Sequence, residues 1–143
     1  MIVADANLFV WLVTGSQPDT DPTLLRYAQA FFRAAERGTL SYTTSEAIIA
    51  EAVWVSSRRY GLDRTAVASR LVSLLELEGC AMPTRDMCID ALEVWATNRR
   101  VSFVDALAAG MAEQPGNQLA TLDRDLVRHT SAAVWQPIAV GST

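Results

Sequence analysis

MIVADANLFVWLV, residues 1–13, is the stretch on which the reading of the fold turns. Ile2, Val3 and Ala4 make a short apolar run suited to a buried strand, and Asp5 ends it abruptly. From Asn7 to Val13 the chain reads as one or two helical turns. A strand that runs through an acid into a helix is the local mark of an α/β unit, whose helix packs back on the sheet.

The same alternation continues outward. Gly15 to Thr20 reads as a polar loop, and Asp21 caps a helix that begins at Pro22 and stops at Gly38. Leu40 to Tyr42 reads as a second strand. Thr43 and Glu46 have capping-box spacing for a helix reaching about Tyr60, with Gly61 beyond it. Asp63 caps a helix to about Glu78, Cys80 to Met82 is a third strand ended by Pro83, and Thr84 caps a helix to about Asn98. Ser102 caps the next helix, which Pro115 and Gly116 break. Gln118 to Thr121 is a fourth strand, Asp123 to Arg128 a short helix, and Ala133 to Trp135 a fifth strand. The pattern predicts one α/β domain over residues 1–143, with a mainly parallel sheet covered on both faces.

Four acids interrupt apolar stretches. Asp5 follows Ile2–Ala4, and Glu51 breaks the run from Ala47 to Val55. Asp105 is the only charge between Arg100 and Glu113, and Asp123 closes the run Leu119 to Leu122. Charged groups are rarely buried unless paired or bound to metal, so separated acids with few cations nearby suggest a shared divalent ion. In open α/β sheets, ligand sites lie beyond the carboxyl ends of the strands. Asp5 and Asp123 both follow predicted strands, and Asp105 sits in a first helical turn, where the helix dipole partly offsets its charge. Each has a plainer explanation too: Asp5 as a strand-end turn, Asp105 as a first-turn acid, Asp123 as an N-cap. Glu51 has Arg58 as its one evident ionic partner, and Glu46 suits a capping box.

Composition removes whole classes of chemistry. All 12 basic residues are arginine, so a Walker-type phosphate loop and a Schiff-base mechanism are excluded. His129 is the only histidine, which argues against catalytic triads and multi-histidine zinc sites. Cys80 and Cys88 match no zinc or redox spacing and read as core thiols of a reducing cytoplasm. Carboxylates and hydroxyls remain, and oxygen donors suit magnesium or manganese. No secretory signal or membrane span is expected.

DANLFVW at residues 5–11, the Glu51 helix, FVDALAAGMAE at 103–113 and LATLDRDLV at 119–127 together resemble a PIN domain, most closely the VapC-type ribonuclease toxins of toxin–antitoxin pairs. The resemblance covers about residues 1–136. It implies a three-layer α/β/α sandwich with a short, five-stranded, mainly parallel sheet. It also implies a site for magnesium, or manganese in its place, formed by Asp5, Glu51, Asp105 and Asp123. Asp5, Asp105 and Asp123 would be the metal ligands, while Glu51 would either ligate or position water. Asn7, Thr121 and Asp125 occupy supporting positions. The implied reaction is hydrolysis of RNA to products with a 5′-phosphate and a 3′-hydroxyl. The implied partners are a VapB-like antitoxin and a second copy of the chain. A PIN nuclease of RNA processing or decay and a non-catalytic PIN-fold binding module are the alternatives.

The net charge of −4 and pI near 4.9 run against generic nucleic-acid binding. Arg58 with Arg59, Arg99 with Arg100, and Arg124 with Arg128 are candidate RNA contacts, or else solvated helix ends. Trp11, Trp54, Trp95 and Trp135 read as core or interface residues. Leu24, Tyr27, Phe31 and Phe32 make an apolar helix surface available to a partner.

Overall fold

The computed structural model describes residues 1–15, 17 and 19–138. Ser16 and Pro18 of the expected polar loop, and residues 139–143 of the expected domain, lie outside them. The elements run β1 (Ile2–Val3), α1 (Ala6–Thr14), α2 (Pro22–Glu36), β2 (Tyr42–Thr43), α3 (Glu46–Trp54), α4 (Arg64–Leu75), α5 (Arg85–Thr97), α6 (Phe103–Ala112) and α7 (Arg124–His129). A π-helical turn, Val55–Arg59, continues α3.

β1 and β2 pair in parallel, with Ile2 opposite Tyr42 and Val3 opposite Thr43. Tyr42 also bridges Cys80 on its other side, through Tyr42 N to Gly79 O at 2.8 Å and Ala81 N to Tyr42 O at 2.7 Å. The third expected strand is thus a single parallel bridge. Leu119 and Val134 form another, held by Leu119 N to Ala133 O and Trp135 N to Leu119 O, both 2.8 Å. Among the described residues no backbone hydrogen bond joins this pair to β1, whose Ile2 and Val3 are exposed. The expected five-stranded sheet is therefore corrected to a two-stranded parallel sheet with isolated bridges. Runs of two to four residues carry few ladder bonds, so their pairing depends on what packs against them.

Helix ends follow local chemistry. Asp21 accepts from Thr23 N at 2.8 Å, Asp63 from Thr65 N at 3.1 Å, and Ser102 Oγ from Asp105 N at 3.0 Å. At α3 the expected box between Thr43 and Glu46 is replaced by Ser45, whose Oγ accepts from Ile48 N at 3.3 Å. Thr43 is committed to β2, where its carbonyl accepts from Ala4 N at 2.9 Å. Thr84 stands at the N-cap of α5 without a side-chain cap bond.

The core gathers around Tyr42, which is fully buried and donates its hydroxyl to Leu74 O at 2.7 Å. Its ring centroid lies 6.2 Å from Phe9, 5.6 Å from Phe31 and 5.7 Å from Phe32. Phe32 is buried and Phe31 half-buried, so the expected apolar surface of α2 shrinks to Leu24 and Tyr27. α5 packs between α4 and α6, and α1 packs against α2, α3 and α4. Cys80 and Cys88 are buried free thiols. No described helix is long and apolar enough to cross a membrane.

Candidate active site

Three of the four acids stand at helix N-termini. Asp5 is the N-cap of α1, and its Oδ1 accepts from Ala6 N at 2.7 Å. Asp123 is the N-cap of α7, and its Oδ1 accepts from Asp125 N at 2.9 Å and Leu126 N at 3.2 Å. Asp105 lies in the first turn of α6, three residues after the Ser102 cap. Each therefore sits beside the free backbone N–H groups of a helix start. In Asp5 and Asp123 one oxygen is engaged by backbone, while the cap bonds leave the other oxygen to solvent or a ligand. Glu51 differs, projecting from the second turn of α3.

Exposure corrects one expectation. Asp5, Glu51 and Asp123 are exposed and Asp105 is half-buried, so none of the four bears the full cost of desolvating a charge. Ala4, Ala6, Ala52 and Ala106 beside them are buried, whereas Val3, Val104 and Leu122 are exposed. Glu51 forms no ion pair with Arg58 among the described residues.

A succession of packed helices connects the acids: α1 lies against α3, α3 against α6, and α6 against α7. The donor set, carboxylates with a nearby hydroxyl at Thr121 and amide at Asn7, has the chemistry of a hard-cation site. Yet no group of three or more His, Cys, Asp or Glu is positioned to hold one ion among the described residues. The physical reason lies in the sheet. Asp5 follows β1 and Asp123 follows the Leu119 bridge, and those two segments share no ladder. A common strand edge was the device expected to bring them together.

The supporting positions have local roles. Thr121 Oγ1 accepts from Asp123 N at 3.0 Å and so fixes the backbone that presents Asp123. Asp125 faces two cations, Arg100 at 3.8 Å and Arg128 at 3.6 Å, so it tethers α7 to the residues before α6. Those exposed pairs contribute little stability. Arg100 remains largely exposed beside Asp125. Asn7 is exposed one residue into α1, and Arg59 and Arg99 are exposed. Arg124 borders a shallow surface depression with Thr121, Asp123 and Arg128.

A cleft of about 400 Å³ that the sequence reading did not single out lies between α3, its π-helical turn and the start of α6. Trp54 and Arg58 line one wall, and Ser102, Phe103 and Val104 line another, immediately before Asp105. Arg64 and Trp95 also face it. Of the tryptophans expected in core or interface, Trp95 is buried, whereas Trp54 is 59% exposed and Trp135 55%. Spacing carried the signal: Glu51, Trp54 and Arg58 stand at i, i+3 and i+7, positions that share a helix face.

Arg64 is fixed in place. Its Nη1 donates to the carbonyls of Trp95 (3.2 Å), Asn98 (3.1 Å) and Val101 (3.0 Å), and its guanidinium stands 5.0 Å from the Trp95 ring centroid. The first two bonds satisfy carbonyls at the C-terminal end of α5, where a cation is favoured, and the third holds the residue before the α6 cap. Partial burial lowers the Arg64 pKa, and the charges of Arg58 and Arg99 lower it further.

No significant match to a curated protein or to a solved structure was found. The model of the PIN domain family matches residues 2–131, a span that contains all four acids in order. On that match over most of its length, the chain belongs to the PIN domain family.

Proposed function

We propose that this protein is a metal-dependent endoribonuclease, acting as the toxin of a toxin–antitoxin pair. PIN domains are usually nucleases and generally use divalent metals. The observation that carries the reading is the ordered set Asp5, Glu51, Asp105 and Asp123 within the matched span, exposed or half-exposed, three of them at helix N-termini. A magnesium or manganese ion held by Asp5, Asp105 and Asp123 would supply charge stabilisation for phosphoryl transfer. In this reading Glu51 orients the attacking water, and Thr121 and Asn7 hold the neighbouring groups in place. Bringing the three carboxylates onto one ion requires a closer approach than the described residues show, an arrangement that metal would favour by binding it.

The toxin role rests on the sequence resemblance, with a VapB-like antitoxin and a second copy of the chain as partners. RNA processing or decay is the second reading, and a cytoplasmic setting suits both. Purified protein incubated with single-stranded RNA and manganese is expected to yield fragments with 5′-phosphates, and excess EDTA is expected to stop cleavage. Undiminished cleavage in EDTA would refute the metal mechanism. Growth arrest on expression supports the toxin role, and harmless expression of an active nuclease favours RNA processing.

A further inference from the structure

We infer that the cleft beside α3 is a nucleotide subsite, in which a base of single-stranded RNA stacks on Trp54 and its phosphate meets Arg58. The inference rests on the ribonuclease reading and adds where the substrate is gripped.

The chemistry of the walls identifies the occupant. The floor is apolar, built by the buried rings of Trp95 and Phe103, while Trp54 stands 59% exposed at the wall. An indole left in water beside an apolar floor offers a stacking face to a planar ligand. The charged side chains lining the cleft are all cationic: Arg58 and Arg64 face it, and no Asp or Glu does. Arg64 is occupied by its three carbonyls, so Arg58 is left as the cation for an incoming anion. Arg58 has no ion-pair partner among the described residues, and its charge is felt at Arg64, a field that no facing acid relieves. Ser102 Oγ accepts from Asp105 N, which leaves its hydroxyl proton to donate.

A planar apolar face, a free cation and a hydroxyl donor match one nucleotide. A volume of about 400 Å³ falls in the range of small-ligand sites. Bases of a duplex are stacked out of reach, so the strand must be single. Trp54 lies one helical turn beyond Glu51, and Ser102 lies three residues before Asp105. A nucleotide held here therefore places its neighbour along the strand near two of the four acids.

The test is fluorescence anisotropy with 5′-fluorescein-labelled hexaadenylate in EDTA, where cleavage is suppressed. Trp54→Ala is expected to weaken binding roughly five- to a hundredfold, the span seen for loss of one stacked base. Trp54→Phe should restore most of it, and Trp135→Ala, another exposed tryptophan, should change nothing. Arg58→Ala should weaken binding and reduce the log–log salt slope by about 0.7. Inorganic hexaphosphate as competitor should lose affinity with Arg58→Ala and not with Trp54→Ala. Wild-type affinity in both Trp54→Ala and Arg58→Ala overturns the subsite and leaves the cleft to a protein segment. Equal loss of RNA and hexaphosphate in Trp54→Ala overturns stacking, and absence of wild-type RNA binding overturns the subsite outright. Cleavage of a longer RNA with manganese, run in parallel, separates the two claims. Cleavage with normal binding by the variants sinks the subsite alone, whereas Trp54-dependent binding without cleavage sinks the ribonuclease reading alone.

Discussion

Asp123 carries two jobs at one atom group: its Oδ1 caps α7 through two backbone N–H groups, and its remaining oxygen is a proposed metal ligand. Asparagine caps a helix about as well as aspartate, whereas alanine does not. Asp123→Asn is therefore expected to keep the wild-type melting temperature and lose cleavage, while Asp123→Ala loses cleavage and about 1 kcal/mol of stability. Equal destabilisation by both, measured in denaturant, would mean that the charge itself holds α7. A second residue-scale expectation concerns Cys88. Burial pushes its thiol up to about 12, with smaller pushes from Glu46 and Cys80. Its folded pKa lies above the ordinary value of 9.0, so the unfolded chain loses this proton first. Stability should hold below pH 9 and fall by up to about 1.4 kcal/mol per pH unit as pH rises toward 12. Tyr42, raised by burial and by the nearby Cys80 thiol, acts in the same direction. Cys88→Ala should flatten this alkaline decline, whatever it costs at neutral pH, and an unchanged slope in pH-dependent denaturation would contradict the assignment.

At the scale of elements, what is local in sequence is also what the sequence discloses. Asp21, Asp63, Ser102 and Asp123 each accept from a backbone N–H two or three residues ahead, so their caps follow from short-range spacing alone. The strands are different. Val3 pairs with Thr43 and Leu119 with Val134, and no short-range rule says whether those pairs join one sheet. The candidate acids were legible as exceptions in apolar runs, but their mutual distance depends on that same pairing. For Trp54 the sequence left core and interface both open, and only the walls around it show that the ring stands exposed beside a cleft. Gly79 shows how tightly the legible core is built. Its N donates to Ala35 O at 2.9 Å, its O accepts from Tyr42 N, and an added Cβ would collide with Leu40 O and lie 2.9 Å from Ala35 Cα. Gly79→Ala is expected to cost about 1–3 kcal/mol by overpacking the seam between α2 and β2. A thermal midpoint equal to wild type would show that the seam yields.

Across the whole molecule, a net charge of −4 equals the charge of the four candidate acids. A divalent ion among them would offset half of it and make an acidic protein hospitable to RNA near the site. In the proposed function Asp5, Asp105 and Asp123 hold one cation, with Glu51 beside it, although the four acids occupy four helices. The most direct measurement is a set of melting curves in EDTA and in manganese. An ion at a hundred times its dissociation constant adds about 2.7 kcal/mol, which for 143 residues is an upward shift of roughly 9 °C. Wild type, Asp19→Asn and Asp63→Asn should show that full shift, and Asp5→Asn, Asp105→Asn and Asp123→Asn should each lose most of it. A wild-type manganese shift in Asp105→Asn and Asp123→Asn would contradict the shared site and leave those acids as helix-start residues.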